Sequence, residues 1–146
     1  KFYSHKTLIL NIKEEGLEKR ILKILKKHNI KNFFLLDQSF PFLIKYSTKF
    51  FSKTAGRISD YESIETIKKI KNKINWVWVD YFSKFPLNNN KYNILKRMNV
   101  KLCYVSPELQ GVYDTKKIKK FIFFLLRKKM IPDAVCTKYP NLWKKI

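Results

Sequence analysis

The sequence predicts an α/β fold on a parallel sheet, an incomplete barrel of the TIM type with about six β/α units. Short β-rich apolar runs alternate with longer segments of helical periodicity along the chain. The runs are almost continuously apolar, as in parallel strands that are covered on both faces. No glycine-rich loop of the GxGxxG or GxxxxGK type occurs, which removes the commonest evidence for an open nucleotide-binding sheet. We therefore favour a barrel over an open doubly wound sheet, and treat residues 1–146 as a single domain.

Six segments have the composition of buried strands. Each is a short run rich in Ile, Leu, Val, Phe or Trp, or a β-prone stretch between turn residues. The predicted strands are Thr7–Ile12, Asn32–Leu36, Thr54–Ile58, Trp76–Val79, Val100–Val105 and Asp133–Cys136.

Helices are predicted between successive strands. The first has apolar residues at helical spacing between Leu17 and His28, and the second follows Pro41 and spans Phe42 to Thr48. The third begins with a capping box of Ser59 and Glu62. Its predicted apolar face comprises Ile64, Ile67, Ile70 and Ile74.

The last two helices follow polar or capping residues. The fourth follows the asparagine run at residues 88–90 and carries Ile94, Leu95 and Met98. Asp114 or Thr115 caps the fifth. Its predicted buried side comprises Ile118, Phe121, Ile122, Leu125 and Leu126. A short segment with Leu142 and Trp143 follows the sixth strand.

Composition limits the classes of function. The formal net charge is +21, and 28 of the 32 basic residues are lysine, since only four arginines occur. Because residues with A/T-rich codons are enriched throughout, codon bias and solvated helix faces explain most of this charge. Cys103 and Cys136 lie in strand-like runs and are expected to be reduced thiols of a cytoplasmic protein. No run is long enough for a membrane span, and we expect no signal peptide.

The candidate site residues follow the predicted strands, because the active sites of such barrels lie at the carboxyl ends of their strands. Lys13 and Arg57 are suited to holding a phosphate, the arginine in a bidentate manner. Asp37, Asp80 and Glu108 offer oxygen ligands for a hard divalent cation. Aspartate also ends strands for its backbone hydrogen bonds, so Asp37 and Asp80 have a structural interpretation as well. Lys13, directly after a buried strand, is the strongest candidate for a ligand role.

Six motifs occur in register with the six predicted strands. They are LNIK (Leu10 to Lys13), FLLDQS (Phe34 to Ser39), GRISDYE (Gly56 to Glu62), WVWVDYF (Trp76 to Phe82), VSPELQG (Val105 to Gly111) and CTKYP (Cys136 to Pro140). Together they resemble the later strands of bacterial proteins of the glycerophosphodiester phosphodiesterase-like family, from Leu8 to about Trp143. The resemblance implies that this chain holds the C-terminal six units of a phosphodiesterase-type barrel.

The resemblance also assigns roles to individual residues. The third strand of the family carries an acidic metal ligand and a lysine in an E-x-K pattern; Lys13 matches this lysine and is the candidate catalytic residue. Asn11 stands at the acidic position, so Asn11 and Asp37 are the candidate ligands of a divalent metal, Mg²⁺ or Ca²⁺. An amide oxygen contributes no negative charge, which weakens this metal site. Lys138 replaces an aspartate of the family's T-D-x-P motif, and with Arg57 it is a candidate for substrate binding.

The family's HR pair, ExD pair and further histidine belong to strands that would precede Lys1. Without them a barrel cannot close, and we expect an N-terminal segment or a partner chain to complete it. The first residue is lysine rather than methionine, which is compatible with a removed segment.

Three functions remain open. The leading one is hydrolysis of a glycerol- or lipid-linked phosphodiester by the full-length parent, with this piece inactive alone. The alternative is a phosphate-binding or scaffold barrel that has lost catalysis, which Asn11 and Lys138 favour. Nucleic-acid binding ranks last, because only the net charge supports it.

Overall fold

The computed structural model describes residues 7–50 and 53–144, with the backbone alone at residues 49 and 50. The strands are β1 (Leu8–Asn11), β2 (Phe33–Leu36), β3 (Ala55–Ile58), β4 (Trp76–Val79), β5 (Lys101–Val105) and β6 (Ala134–Cys136). The α-helices are α1 (Glu18–Lys27), α2 (Phe40–Phe50), α3 (Ile64–Lys69), α4 (Asn89–Arg97) and α5 (Thr115–Arg127). Short 3₁₀ helices occupy Lys71–Lys73, Pro107–Gln110 and Pro140–Trp143. All six predicted strands and all five predicted helices are confirmed, and the strand bounds agree to within one residue.

The strands pair in chain order. Leu8–Asn11 of β1 runs parallel to Phe33–Leu36 of β2, in a two-stranded sheet. The second sheet has the order β3-β4-β5-β6, and its last pair is parallel. A single parallel bridge joins Leu35 to Thr54, the residue before β3. The α/β class with parallel sheets is thus confirmed, and the described strands form two sheets rather than a closed barrel.

The chain divides into two compact units. The first consists of Lys1–Gly56 with Asn72–Trp76, and the second of Arg57–Lys71 with Val77–Ile146. Among the residues that the structure describes, no helix has the length and apolar character needed to span a bilayer.

The core of the first unit lies between β1, β2 and α1. Four buried side chains form its centre, with partly buried apolar residues of the same elements around them. The central four are Ile12, Leu25, Phe33 and Leu35. The ring of Phe34 stacks on Trp76 with 4.6 Å between centroids. Each fully buried side chain of this kind contributes about 1.5–3 kcal/mol, so the short strands are held by packing.

The core of the second unit is built on the inner positions of β4 and β5 and on one face of each helix. The fully buried residues are Val77, Val79, Leu102, Tyr104, Ile67, Leu95, Ile118 and Leu125. Helix α5 lies against the last 3₁₀ helix, where Phe121 contacts Trp143 with 6.1 Å between ring centroids. The predicted buried side of α5 was wrong at Leu126, which is 38% exposed because it lies outside the stripe formed by the buried positions.

The predicted start of α3 was also wrong. Ser59 Oγ does contact Glu62 Oε2 at 2.8 Å, but the helix begins at Ile64. Its N-cap is Ser63, whose hydroxyl accepts a hydrogen bond from the backbone N–H of Glu65. The sequence offers two serines four residues apart, and the nearer one satisfies the open amide of the first turn. The cap of α5 is Asp114, one of the two residues predicted for it.

Candidate functional site

A cavity lies in the first unit where β1 and β2 end. Its volume is 160 Å³ and its lining is Ile12, Lys13, Glu14, Glu15, Glu18, Asp37, Ser39 and Phe42. We call it the first-unit pocket. Lys13 and Asp37, two of the predicted site residues, therefore line the same cavity. Parallel pairing of β1 and β2 produces this, because it brings the carboxyl ends of both strands to one edge.

Asn11, the other predicted metal ligand, does not line the first-unit pocket. It is the last residue of β1, lies opposite Leu36 in the pairing with β2, and is exposed. Asp37 directly follows Leu36 and has a φ of +59°, in the left-handed region. Aspartate tolerates this conformation better than most residues, and such backbone positions are frequent at functional sites.

Glu18 is the most unusual residue of the pocket. Its side chain is fully buried at the start of α1, and Gln38 Nε2 donates a hydrogen bond to its Oε1 at 3.0 Å. Within the described residues, Glu18 Oε2 and the hydroxyl of Ser39 have no hydrogen-bond partner. An unpaired buried polar atom costs about 1–3 kcal/mol, so a bound molecule that donates to Glu18 would stabilise the unit.

The lining is acidic in a strongly basic chain. Four of the eleven acidic residues line it, namely Glu14, Glu15, Glu18 and Asp37, together with one lysine. The formal charge of these five side chains is −3, against +21 for the whole chain. The negative field of the pocket therefore attracts cations, while the ammonium group of Lys13 can bind an anion.

The donor atoms of the pocket suit a hard divalent cation, because carboxylate and hydroxyl oxygens are the ligands that Mg²⁺ and Ca²⁺ prefer. Asp37 and Glu18 are the residues that would hold it, and the unpaired Glu18 Oε2 is consistent with this role. Among the described residues, no three His, Cys, Asp or Glu side chains are grouped so as to hold a metal ion. The predicted metal therefore stays a prediction, with Glu18 as a residue that the sequence did not single out.

A second group of polar residues lies in the second unit, after β4, β5 and β6. At the end of β4, Asp80 Oδ1 accepts from the N–H of Tyr81 at 2.9 Å and from Gln110 Nε2. Asp80 Oδ2 accepts from Trp78 Nε1 at 3.2 Å and lies 3.6 Å from Arg57 Nη1. Protein donors thus engage both oxygens of Asp80, which favours a structural role over metal binding.

Glu108 joins the ends of β5 and β6. It is 1% exposed, and its Oε1 accepts from Thr137 Oγ1 and from the N–H of Lys138 at 2.7 Å. Its Oε2 accepts from Ser106 Oγ, which also accepts from Trp143 Nε1 at 3.0 Å. Burial alone would raise the pKa of Glu108, but these hydrogen bonds outweigh burial and hold it below its ordinary value. Glu108 is therefore a structural clamp between two strand ends.

The two predicted substrate-binding residues both lie in the second unit. The side chain of Arg57 is one-quarter exposed, and its Nε lies 3.9 Å from Glu62 Oε2. Because Arg57 also faces Asp80, part of its charge is balanced by carboxylates. The exposed Lys138 places its Nζ 5.7 Å from the ring centroid of Tyr113, at a distance typical of cation–π contacts.

The loop after β4 is organised by Asp60, which follows β3. The Asp60 carboxylate accepts from the backbone N–H groups of Phe82, Ser83 and Lys84 and from the Ser83 hydroxyl. The Ser83 hydroxyl, helped by these amides, holds the pKa of Asp60 well below its ordinary value. A run of N–H groups of this kind is an anion-binding concavity, and here a side chain of the protein fills it.

Comparison of the chain with known protein families, curated proteins and solved structures finds no match.

Proposed function

We propose that the complete protein is a phosphodiester hydrolase of the glycerophosphodiester phosphodiesterase type, to which this chain contributes the last six β/α units of a barrel. Its substrate would be a glycerol- or lipid-linked phosphodiester, in lipid metabolism. The observation that carries the proposal is the first-unit pocket, which Lys13 and Asp37 both line at the carboxyl ends of two parallel strands. This is the edge at which barrel enzymes hold their substrates.

The order of the strands supports the barrel. In both sheets, strands that are adjacent in sequence are neighbours in space. A doubly wound sheet instead reverses its strand order at a switch point, whereas a barrel adds each strand beside the previous one. The cytoplasmic location we propose is supported by the free thiols of Cys103 and Cys136.

Lys13 has a definite task in this proposal. Its exposed ammonium would neutralise negative charge on the phosphoryl oxygens as the ester bond breaks. A divalent cation held by Asp37 and Glu18 would polarise the same oxygens when bound. Acid and base groups would come from the family's histidine motifs, which the six motifs of this chain do not include. We therefore expect no hydrolysis by this chain alone.

A phosphate-binding barrel without catalysis is the second candidate, and two specific observations favour it. Asn11 ends β1 with an uncharged amide where the family places a carboxylate. The carboxylates of Asp80 and Glu108 are occupied by protein donors. Such a protein would keep the affinity of Lys13 for phosphate and lose turnover.

One experiment separates the two candidates. The full-length protein is incubated with glycerophosphodiesters and Mg²⁺ or Ca²⁺, and the release of glycerol phosphate is measured. We expect hydrolysis, with kcat/KM about 10²–10³-fold lower in Lys13→Ala, since one charge-stabilising group contributes about that much. Lys19→Ala, an exposed lysine of α1, is the matched control and should be unchanged.

The remaining outcomes are equally informative. Binding of glycerol phosphate without hydrolysis would support the second candidate. Failure of both binding and hydrolysis would reject both. An upstream coding sequence that lacks an HR and an ExD motif would also place the binding barrel ahead of the hydrolase.

A further inference from the structure

Helix α5 and the five residues after it carry an unusual concentration of positive charge. From residue 115 to residue 132 the chain contains seven basic residues and no acidic one. These residues are Lys116, Lys117, Lys119, Lys120, Arg127, Lys128 and Lys129. All seven are exposed.

The inner face of α5 is fully accounted for by the core of the second unit. Ile118, Ile122 and Leu125 are buried, at the spacing of one helical stripe. The ring of Phe121 packs against Phe85 at 5.1 Å between centroids, and Phe124 lies 6.4 Å from the same ring. These side chains explain why α5 is attached to the unit, and none of them requires an outer partner.

Phe123 does not belong to this inner face. It is 62% exposed, and among the described residues no ring packs against it. Lys119 and Lys120 precede it by four and three residues, and Arg127 follows it by four. Residues at these spacings are neighbours on a helix surface, so a large apolar ring lies in the middle of a cationic face.

We propose that the outer face of α5, defined by Lys116, Lys119, Lys120, Phe123 and Arg127, binds the surface of an anionic membrane. Clusters of four to eight basic residues on an amphipathic helix are suited to anionic lipid headgroups. The Phe123 ring would enter the headgroup region while the long lysine and arginine stems reach the phosphates. This inference does not depend on the hydrolysis proposed above.

Charge complementarity selects this occupant. A second copy of the chain would bring another +21 charge towards the same face, which is repulsive. The phosphate backbone of a nucleic acid duplex would satisfy the charges, but it offers no apolar surroundings to Phe123 or to Leu126, the 38% exposed residue that follows Phe123 by three positions. A lipid surface satisfies the charges and the apolar side chains together.

The test is co-sedimentation of the full-length protein with vesicles of phosphatidylserine and phosphatidylcholine in equal parts, compared with vesicles of phosphatidylcholine alone. We expect binding to the anionic vesicles only. Lys119→Gln with Lys120→Gln should weaken it about 25-fold, because each basic residue near the surface contributes about fivefold. Phe123→Ser should weaken it about tenfold, the lower limit for burial of a phenylalanine.

Matched controls separate this face from diffuse charge. Lys23→Gln with Lys26→Gln removes the same charge from exposed positions of α1, and Phe40→Ser removes a ring that is 52% exposed. Both should retain most of the binding. Equal losses in the α1 and α5 double variants, or no effect of Phe123→Ser, would overturn the proposal. So would binding of a duplex oligonucleotide that depends on Phe123 while vesicle binding does not.

Discussion

Replacing Glu108 should destabilise the second unit more than replacing any exposed carboxylate. Glu108→Ala removes the acceptor of three hydrogen bonds, from Ser106 Oγ, Thr137 Oγ1 and the N–H of Lys138. Hydrogen bonds to a charged group contribute about 1.5–3 kcal/mol each, and water can replace those at the more exposed Thr137 and Lys138. We therefore expect the free energy of unfolding to fall by about 3–5 kcal/mol. The closer isostere Glu108→Gln should cost about 1–2 kcal/mol, because its amide oxygen can still accept.

The assay is urea unfolding followed by tryptophan fluorescence. Trp143 is buried and bonded to Ser106, so it reports on the same region. With a urea dependence of about 2 kcal/mol per molar, the midpoint of Glu108→Ala should fall by about 2 M. Glu65→Ala is the control, since the exposed Glu65 carboxylate pairs with Lys68 at 2.7 Å on the helix surface and its loss should change stability by less than about 0.5 kcal/mol. Equal urea midpoints for Glu108→Ala and Glu65→Ala would show that Glu108 does not stabilise the ends of β5 and β6.

The clamp also predicts the sign of a pH dependence. The pKa of Glu108 is lower in the folded protein than its ordinary value of 4.5. Its contribution is therefore complete above the pKa of the unfolded chain and is lost as the pH falls through the folded pKa. Wild-type protein should lose more stability than Glu108→Gln between neutral pH and acid pH. A parallel pH profile of the two proteins would contradict the assignment.

Three further predictions concern other parts of the chain. Ser63→Ala should lower the free energy of unfolding by about 1 kcal/mol through loss of the α3 cap, as urea titration can check, and an unchanged midpoint would count against this cap. Asp60→Ala should speed hydrogen exchange of the backbone amides in the loop after β4, because it removes their acceptor. The pKa of Asp60 is lowered in the folded protein, so in the wild type these amides should lose their protection from exchange as the pH falls through that pKa. Burial raises the pKa of the Cys103 thiol, so a disulfide reagent at pH 8 should leave Cys103 unmodified until the protein unfolds. The partly exposed Cys136 should react first, and mass spectrometry can follow the order of modification. If Cys103 reacted before Cys136, this would count against the core packing of β5.

The strands and helices were predictable because their signals are local. A run such as Trp76–Val79 is apolar at every position, and a buried parallel strand requires that pattern. The start of α3 was harder, because Ser59 and Ser63 both have the residue type of a cap and only the path of the chain after β3 chooses between them. Leu126 lies just outside the stripe of buried positions on α5, and the sequence alone does not show where that stripe ends.

The site was predictable only where residues directly follow strands. Lys13 and Asp37 follow β1 and β2, and parallel pairing alone brings them to one edge. Glu18 is the first residue of α1, where a carboxylate is common because it interacts favourably with the helix dipole. The sequence does not distinguish it from Glu14 and Glu15, which precede the helix and are exposed. The burial of Glu18 against Gln38 is a long-range contact, for which a single sequence contains no signal. The hydrogen bond from Gln110 to Asp80 is likewise a long-range contact, since Gln110 belongs to the 3₁₀ helix that follows β5.

Both proposed functions require that glycerol phosphate binds to the first-unit pocket. Isothermal titration of the full-length protein with Mg²⁺ or Ca²⁺ present should show binding that Lys13→Ala weakens by at least about tenfold, the loss expected for one charged hydrogen bond to phosphate. Lys19→Ala should bind as wild type does. If Lys13→Ala leaves the binding unchanged, or if the wild-type protein does not bind, the first-unit pocket is not a phosphate site and both proposed functions fail.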